Sequence, residues 1–212
     1  MRLTVLQNDA GVPPGHLERV ARERGIEVDL VALDAGEPVP DVSDIEALVV
    51  LGGEMGAYDG EAYPYLDEEK ELLRAAVAGD IPVLGLCLGC QLLADALGGR
   101  AYLAPAPEVI LRSVDLLRPD PVVRALAEGP ALSMHRDTWT VPEGGELIAT
   151  SDTYNQAFRI GSALGVQPHP EVERAVFHDW IDHPSGGELL RGAGADRERL
   201  RERFDAESTA MR

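Results

Sequence analysis

Apolar residues along the first half of the chain fall into two patterns that take turns. Strand-like runs at Leu3 to Leu6, Val28 to Ala32, Ala47 to Leu51 and Pro82 to Gly85 alternate with helix-like stretches at Gly15 to Arg24, Tyr65 to Ala78 and Cys90 to Leu97. That alternation predicts a mostly parallel sheet with helices on both faces. The second half changes character: Glu108 to Leu117, Ala131 to Met134, Leu147 to Thr150, Ala157 to Ile160 and Ser162 to Val166 read as shorter strands joined by turns. A mixed or antiparallel extension is expected there. The tail, Asp196 to Phe204, carries opposite charges at helical spacing and few apolar residues, so it reads as an exposed terminal helix spanning about 195–211.

The chain has 212 residues, 45% hydrophobic and 26% charged. These are ordinary proportions for one globular domain, here taken as 1–212 with a core over about 1–185. Neither an internal repeat nor a low-complexity segment is visible. A formal net charge of −18 would repel a phosphate backbone and an anionic membrane surface alike, so nucleic acid and membrane are not expected partners. The N-terminal stretch from Met1 to Asp9 lacks the apolar core of a signal peptide, and no apolar run approaches spanning length. A cytoplasmic location is expected. Lys70 is the only lysine, a bias read as the codon usage of a GC-rich bacterial genome rather than as function.

The chemistry concentrates at Gly85-Leu86-Cys87-Leu88-Gly89-Cys90-Gln91, where an apolar strand runs directly into an amphipathic helix. A nucleophile presented on such a strand-to-helix turn sits at strained backbone angles. Glycines two residues before and after it remove the Cβ crowding. The N-terminus of the following helix also surrounds the sulfur with unpaired N–H groups, which stabilise negative charge, and leaves the Leu88 amide free for an oxyanion. A proton partner is found at Pro168-His169-Pro170-Glu171. There the prolines stiffen the turn, and Glu171 is placed to fix the tautomer of the imidazole.

Together with Gly52-Gly53-Glu54-Met55-Gly56-Ala57-Tyr58-Asp59, these segments resemble the class I, triad-type glutamine amidotransferases, in particular stand-alone proteins similar to the amidotransferase domain of GMP synthase. The resemblance covers roughly Leu48 to Glu171. It implies a flavodoxin-like α/β fold. It further implies Cys87 as nucleophile, His169 as general base and acid, Glu171 as its orienting partner, and the backbone amides of Gly53 and Leu88 as the oxyanion hole. Gln91 matches the family's glutamine-contacting residue. Met134-His135-Arg136-Asp137 matches the loop that holds the substrate's α-amino and α-carboxylate groups. The reaction so implied is attack of Cys87 on a γ-glutamyl carbonyl, release of ammonia or an amine, and hydrolysis of the thioester, with no metal or organic cofactor.

The chain departs from the family pattern in places. Pro168 stands where an aromatic residue is usual, Glu54 where proline is usual, and Met134 and Arg136 replace serine and glycine. Arg136 could pair with a carboxylate on a substrate larger than glutamine, or point to solvent. The C-x-x-C of Cys87 and Cys90 fits neither a redox pair nor a zinc site well, since only two cysteines occur and His16, His135, His178 and His183 lack ligand spacing. No phosphate-binding G-x-x-x-x-G-K-[ST] loop is present. Ammonia made here would therefore be used elsewhere, by a separate synthetase or ammonia-accepting partner. The alternatives are a self-sufficient γ-glutamyl amide or peptide hydrolase and a non-catalytic binding module.

Overall fold

The computed structural model describes residues 1–210. Five parallel strands form the centre of one sheet: β1 (Arg2–Gln7), β2 (Glu27–Ala32), β3 (Leu48–Val50), β4 (Val83–Leu86) and, from far along the chain, β10 (Ala163–Val166). Beyond β10 the sheet continues antiparallel through β9 (Asn155–Ile160), β8 (Glu146–Thr150) and the two-residue β6 (Asp115–Leu116), giving the order β2-β1-β3-β4-β10-β9-β8-β6. A separate antiparallel ribbon pairs β5 (Arg100–Arg112) with β7 (Ala131–Thr140). The expected α/β domain with a parallel centre and an antiparallel extension is the observed one.

Side chains alternate across the sheet and divide the core in two. Leu6, Leu48, Val50 and Val83 pack under α2 (Tyr65–Ala78) and α3 (Leu88–Ala96). Val5, Val49, Leu51 and Leu86 face α1 (His16–Glu23) and the short α4 (Arg124–Glu128). A third cluster forms on the ribbon, where Val109, Leu111 and Leu132 meet α5 (Arg174–Asp182), α6 (Pro184–Ala193) and α7 (Arg197–Ala210). Trp139 of β7 ties the ribbon to the main core: its ring lies 4.8 Å from that of Phe158, and both are fully buried. Phe158→Ala should therefore cost about 3–5 kcal/mol, read as a lower midpoint in chemical denaturation.

Three expectations need correction. Helix α3 begins at Leu88 rather than Cys90, because Gly89 is helical. Strand β5 begins at Arg100, eight residues earlier than the expected strand at Glu108, and absorbs Pro105 and Pro107 in a register shift between Leu103 and Glu108. Helix α7 is not simply exposed: Leu200 and Phe204 are buried, and Phe204 stacks on Phe177 at 4.0 Å. Residue 211, the expected end of that helix, lies outside the described residues.

Candidate active site

Cys87 occupies the turn between β4 and α3 with φ 51° and ψ −106°. Among the described residues only Asp80 shares a positive φ without being glycine. For a residue with a Cβ this backbone is strained, and it is held from both sides. The Cys87 amide donates to the Val166 carbonyl at 2.9 Å, and the Cys87 carbonyl accepts from the Gln91 amide at 3.1 Å. A Cβ on Gly85 would overlap the Gly89 backbone, and one on Gly89 would overlap the Val50 carbonyl. The two flanking glycines thus allow α3 to descend onto the sheet directly behind the turn. Cys90 points the other way, into the core against Gly165, and burial pushes its thiol well above the ordinary value. Both cysteines are free thiols.

His169 follows β10 and is buried, its amide bound to the Leu132 carbonyl at 2.8 Å. Its Nδ1 lies 2.7 Å from Glu171 Oε1, which leaves Nε2 to face Cys87. Burial alone would push the imidazolium down. The Glu171 carboxylate and the Cys87 sulfur outweigh it and hold the group well above the usual histidine range. The Glu171 backbone is pinned in turn, its carbonyl accepting the His16 amide at 2.9 Å, so α1 braces this loop.

The Gly52-Gly53 loop leaves β3 alongside this pair. A Cβ on Gly52 would stand 3.2 Å from His169 Cε1 and 3.5 Å from Cys87 Cβ, while one on Gly53 would stand 3.0 Å from a Leu88 methyl. Glycines here let the backbone itself approach the sulfur. The Leu88 amide opens the first turn of α3, where N–H groups have no helical acceptor.

A cavity of about 640 Å³ opens in front of Cys87 and His169, and Gly53, Gln91, Met134, His135 and Arg136 all reach it. Their side chains are not equally free. Gln91 is buried and donates from Nε2 to the Asp137 carbonyl (3.2 Å) and to Gln167 Oε1 (3.3 Å). His135 has both ring nitrogens engaged, Nδ1 2.8 Å from the Asp137 carbonyl and Nε2 3.0 Å from the buried Glu108, so what it can offer a ligand is its backbone. Arg136 is exposed and approaches Asp137 at 3.4 Å. Asp137 lines the cavity as well, and its Oδ2 is buried without a hydrogen-bond partner. Tyr58 faces it: burial, then the Asp137 carboxylate, pushes the phenol up to about 12.

The far wall was not anticipated from the sequence. It is built by α5 and α6, which bring Val176, Asp179, Trp180, His183, Glu188 and Leu189 to the cavity. The Trp180 ring packs edge-on to His169 at 4.8 Å and donates from Nε1 to the Gly11 carbonyl at 2.7 Å. It supplies an aromatic neighbour for the histidine that Pro168 does not. The Ser185 hydroxyl donates to Glu54 and thereby joins α6 to the glycine loop across the rim.

The family model described as Glutamine amidotransferase class-I matches residues 15–181. A GMP synthase [glutamine-hydrolyzing] of Porphyromonas gingivalis is 36% identical over 138 residues, which are 62% of this chain and 26% of that protein; the chain thus matches about a quarter of that relative's length. A GMP synthase [glutamine-hydrolyzing] subunit of Haloquadratum walsbyi is 34% identical over 178 residues, 78% of this chain and 90% of that one. A solved structure of a glutamine amidotransferase from Thermotoga maritima superposes with a TM-score of 0.86 at 29% identity, covering 99% of this chain and 92% of the other.

Proposed function

The chain belongs to the class I glutamine amidotransferase family, and from that premise we propose that it is a glutaminase-type hydrolase acting through Cys87, His169 and Glu171. The observation that carries the reading is the strained Cys87 turn, with the His169–Glu171 pair at 2.7 Å behind it and a glycine backbone alongside. Cys87 Sγ attacks the γ-carbonyl carbon, and the carbonyl oxygen becomes an oxyanion held by the Gly53 and Leu88 amides. His169 gives its proton to the leaving nitrogen, the C–N bond breaks, and ammonia departs. His169 then takes a proton from water, which attacks the thioester and releases glutamate and the free thiol. Asp137, a buried carboxylate on the cavity wall beside the Tyr58 phenol, is suited to the substrate's ammonium, while Gln91 and the Met134–Arg136 backbone shape the remainder of the site. The relatives named as GMP synthase subunits favour a separate synthetase polypeptide as consumer of the ammonia.

A second reading, hydrolysis of a larger γ-glutamyl amide, is favoured by the cavity itself. Its volume lies in the range that holds drug-sized ligands. The wall from α5 and α6 offers apolar Val176 and Leu189 beside acidic Asp179 and Glu188 for a leaving amine. Glutamate release from glutamine and from a panel of γ-glutamyl amides and dipeptides, with Cys87→Ala as blank, separates the two. Cys87-dependent turnover of glutamine is the expected result. Turnover of the larger amides with glutamine poor would replace it by the second reading.

A further inference from the structure

Next to the Gly52-Gly53 loop lies a polar pair in otherwise apolar surroundings. Asn8, the residue after β1, and Glu69, in α2, both have no exposed surface. Asn8 Nδ2 donates at 3.4 Å to the carbonyl of Leu51, the residue before the glycines, and at 3.4 Å to Glu69 Oε1. The Asn8 side chain also backs the second glycine, since a Cβ on Gly53 would stand 3.4 Å from Asn8 Cβ. From one helical turn before Glu69, the Tyr65 hydroxyl donates to the Asn8 carbonyl at 3.2 Å.

Two buried atoms of the pair are left without partners, Asn8 Oδ1 and Glu69 Oε2. Both are acceptors while the carboxyl is ionised, and an unpaired buried acceptor is costly. With a proton on Glu69 they become complementary: the amide N–H meets the acid carbonyl and the acid O–H meets the amide carbonyl. The surroundings favour the neutral acid. Lys70, the adjacent cation, turns away to the Ala57 carbonyl, Asp67 and Asp95. The other charged groups that act on Tyr65 are Asp9 and Asp34, both negative. Burial, opposed only by the Asn8 hydrogen bond, pushes Glu69 up to about 8.

Resting on the reading of Gly53 as an oxyanion donor, we propose that Asn8 and protonated Glu69 are positioning residues that hold the Leu51–Gly53 backbone in the geometry the transition state requires. Ionisation of Glu69 sets two unpaired acceptors, Asn8 Oδ1 and Glu69 Oε2, against each other and makes Oε1 the stronger acceptor for Nδ2, which draws the amide off the Leu51 carbonyl and lets the Gly53 amide drift. The loss falls on kcat, because the oxyanion forms only after binding.

The test is the pH dependence of kcat and KM for glutamate release in the wild type, Glu69→Gln and Glu69→Leu. Glutamine supplies an N–H in place of the acid O–H and needs no proton. The wild type should lose kcat about tenfold per pH unit once Glu69 ionises. Glu69→Gln should keep kcat within about twofold at pH 7 and lose that limb, leaving only the titration of the Cys87–His169 pair. Glu69→Leu should lower kcat on the order of 10²-fold at pH 7 with KM little changed. An alkaline limb unchanged in Glu69→Gln, or full kcat in Glu69→Leu, overturns the proposal; if the leucine variant does not fold, the glutamine comparison decides alone. Absence of Cys87-dependent turnover in the wild type at every pH would instead overturn the functional reading, and this inference with it.

Discussion

Cys87→Gly should abolish glutamate release, a fall on the order of 10⁴-fold or more, and at the same time make the protein more stable. The nucleophile is removed, and with it any thioester. The backbone, however, sits at φ 51°, where a residue with a Cβ is strained by about 1–3 kcal/mol. Glycine relieves that strain, while its greater freedom in the unfolded chain costs about 0.5–1 kcal/mol. The net expectation is a gain of about 1 kcal/mol in the free energy of unfolding. Cys87→Ala is the control: it removes the same sulfur but keeps the Cβ, so it should be as inactive as the glycine variant without the gain. Denaturant unfolding of the three proteins measures the difference. A glycine variant no more stable than the alanine variant would show that the turn is not strained and that presentation of the sulfur has no stability cost.

Much of the candidate site was legible in the sequence because the segments that build it are local. The Gly-x-Cys-x-Gly turn and the His-Pro-Glu turn each need only a few neighbouring residues to reveal their geometry. Likewise β1 to β4 are short apolar runs bounded by polar or turn-forming segments, and α2 is framed by Pro64 and Gly79, so the expected Tyr65 to Ala78 is the observed helix. What stayed hidden depends on tertiary approach. Gly89 reads as a turn residue, yet it lies within α3 and is glycine because the helix passes the Val50 carbonyl too closely for a Cβ. Helix α6, which follows α5 directly, opens with Pro184 and Gly186-Gly187, residues that suggest a loop. Gly186 is needed because a Cβ there would collide with the Trp180 carbonyl where the two helices meet. The far wall of the cavity was therefore unreadable. So was the pairing of Asn8 with Glu69, which joins residues 61 positions apart.

Glu171→Gln should keep the outline of the third site residue and remove its charge, with kcat/KM expected to fall about 10²–10⁴-fold. Burial pushes the His169 imidazolium down, and in the wild type the Glu171 carboxylate and Cys87 together more than reverse it. Without that carboxylate the imidazolium forms less readily. The glutamine side chain can also present either its oxygen or its N–H to Nδ1, so the tautomer that turns a free Nε2 toward Cys87 is no longer enforced. Stability should change with pH in a defined sense. In the wild type the folded value lies above the ordinary 6.5. The contribution of His169 is therefore complete below pH 6.5 and lost as pH rises through the folded value. In the variant only Cys87 still opposes burial strongly, so the folded value is lower than in the wild type and the stabilisation His169 contributes in acid is smaller. The difference in Tm between the two proteins should be largest in acid and shrink on the alkaline side. An unchanged kcat/KM would mean that the Trp180 ring against the edge of His169, rather than Glu171, is what orients the imidazole.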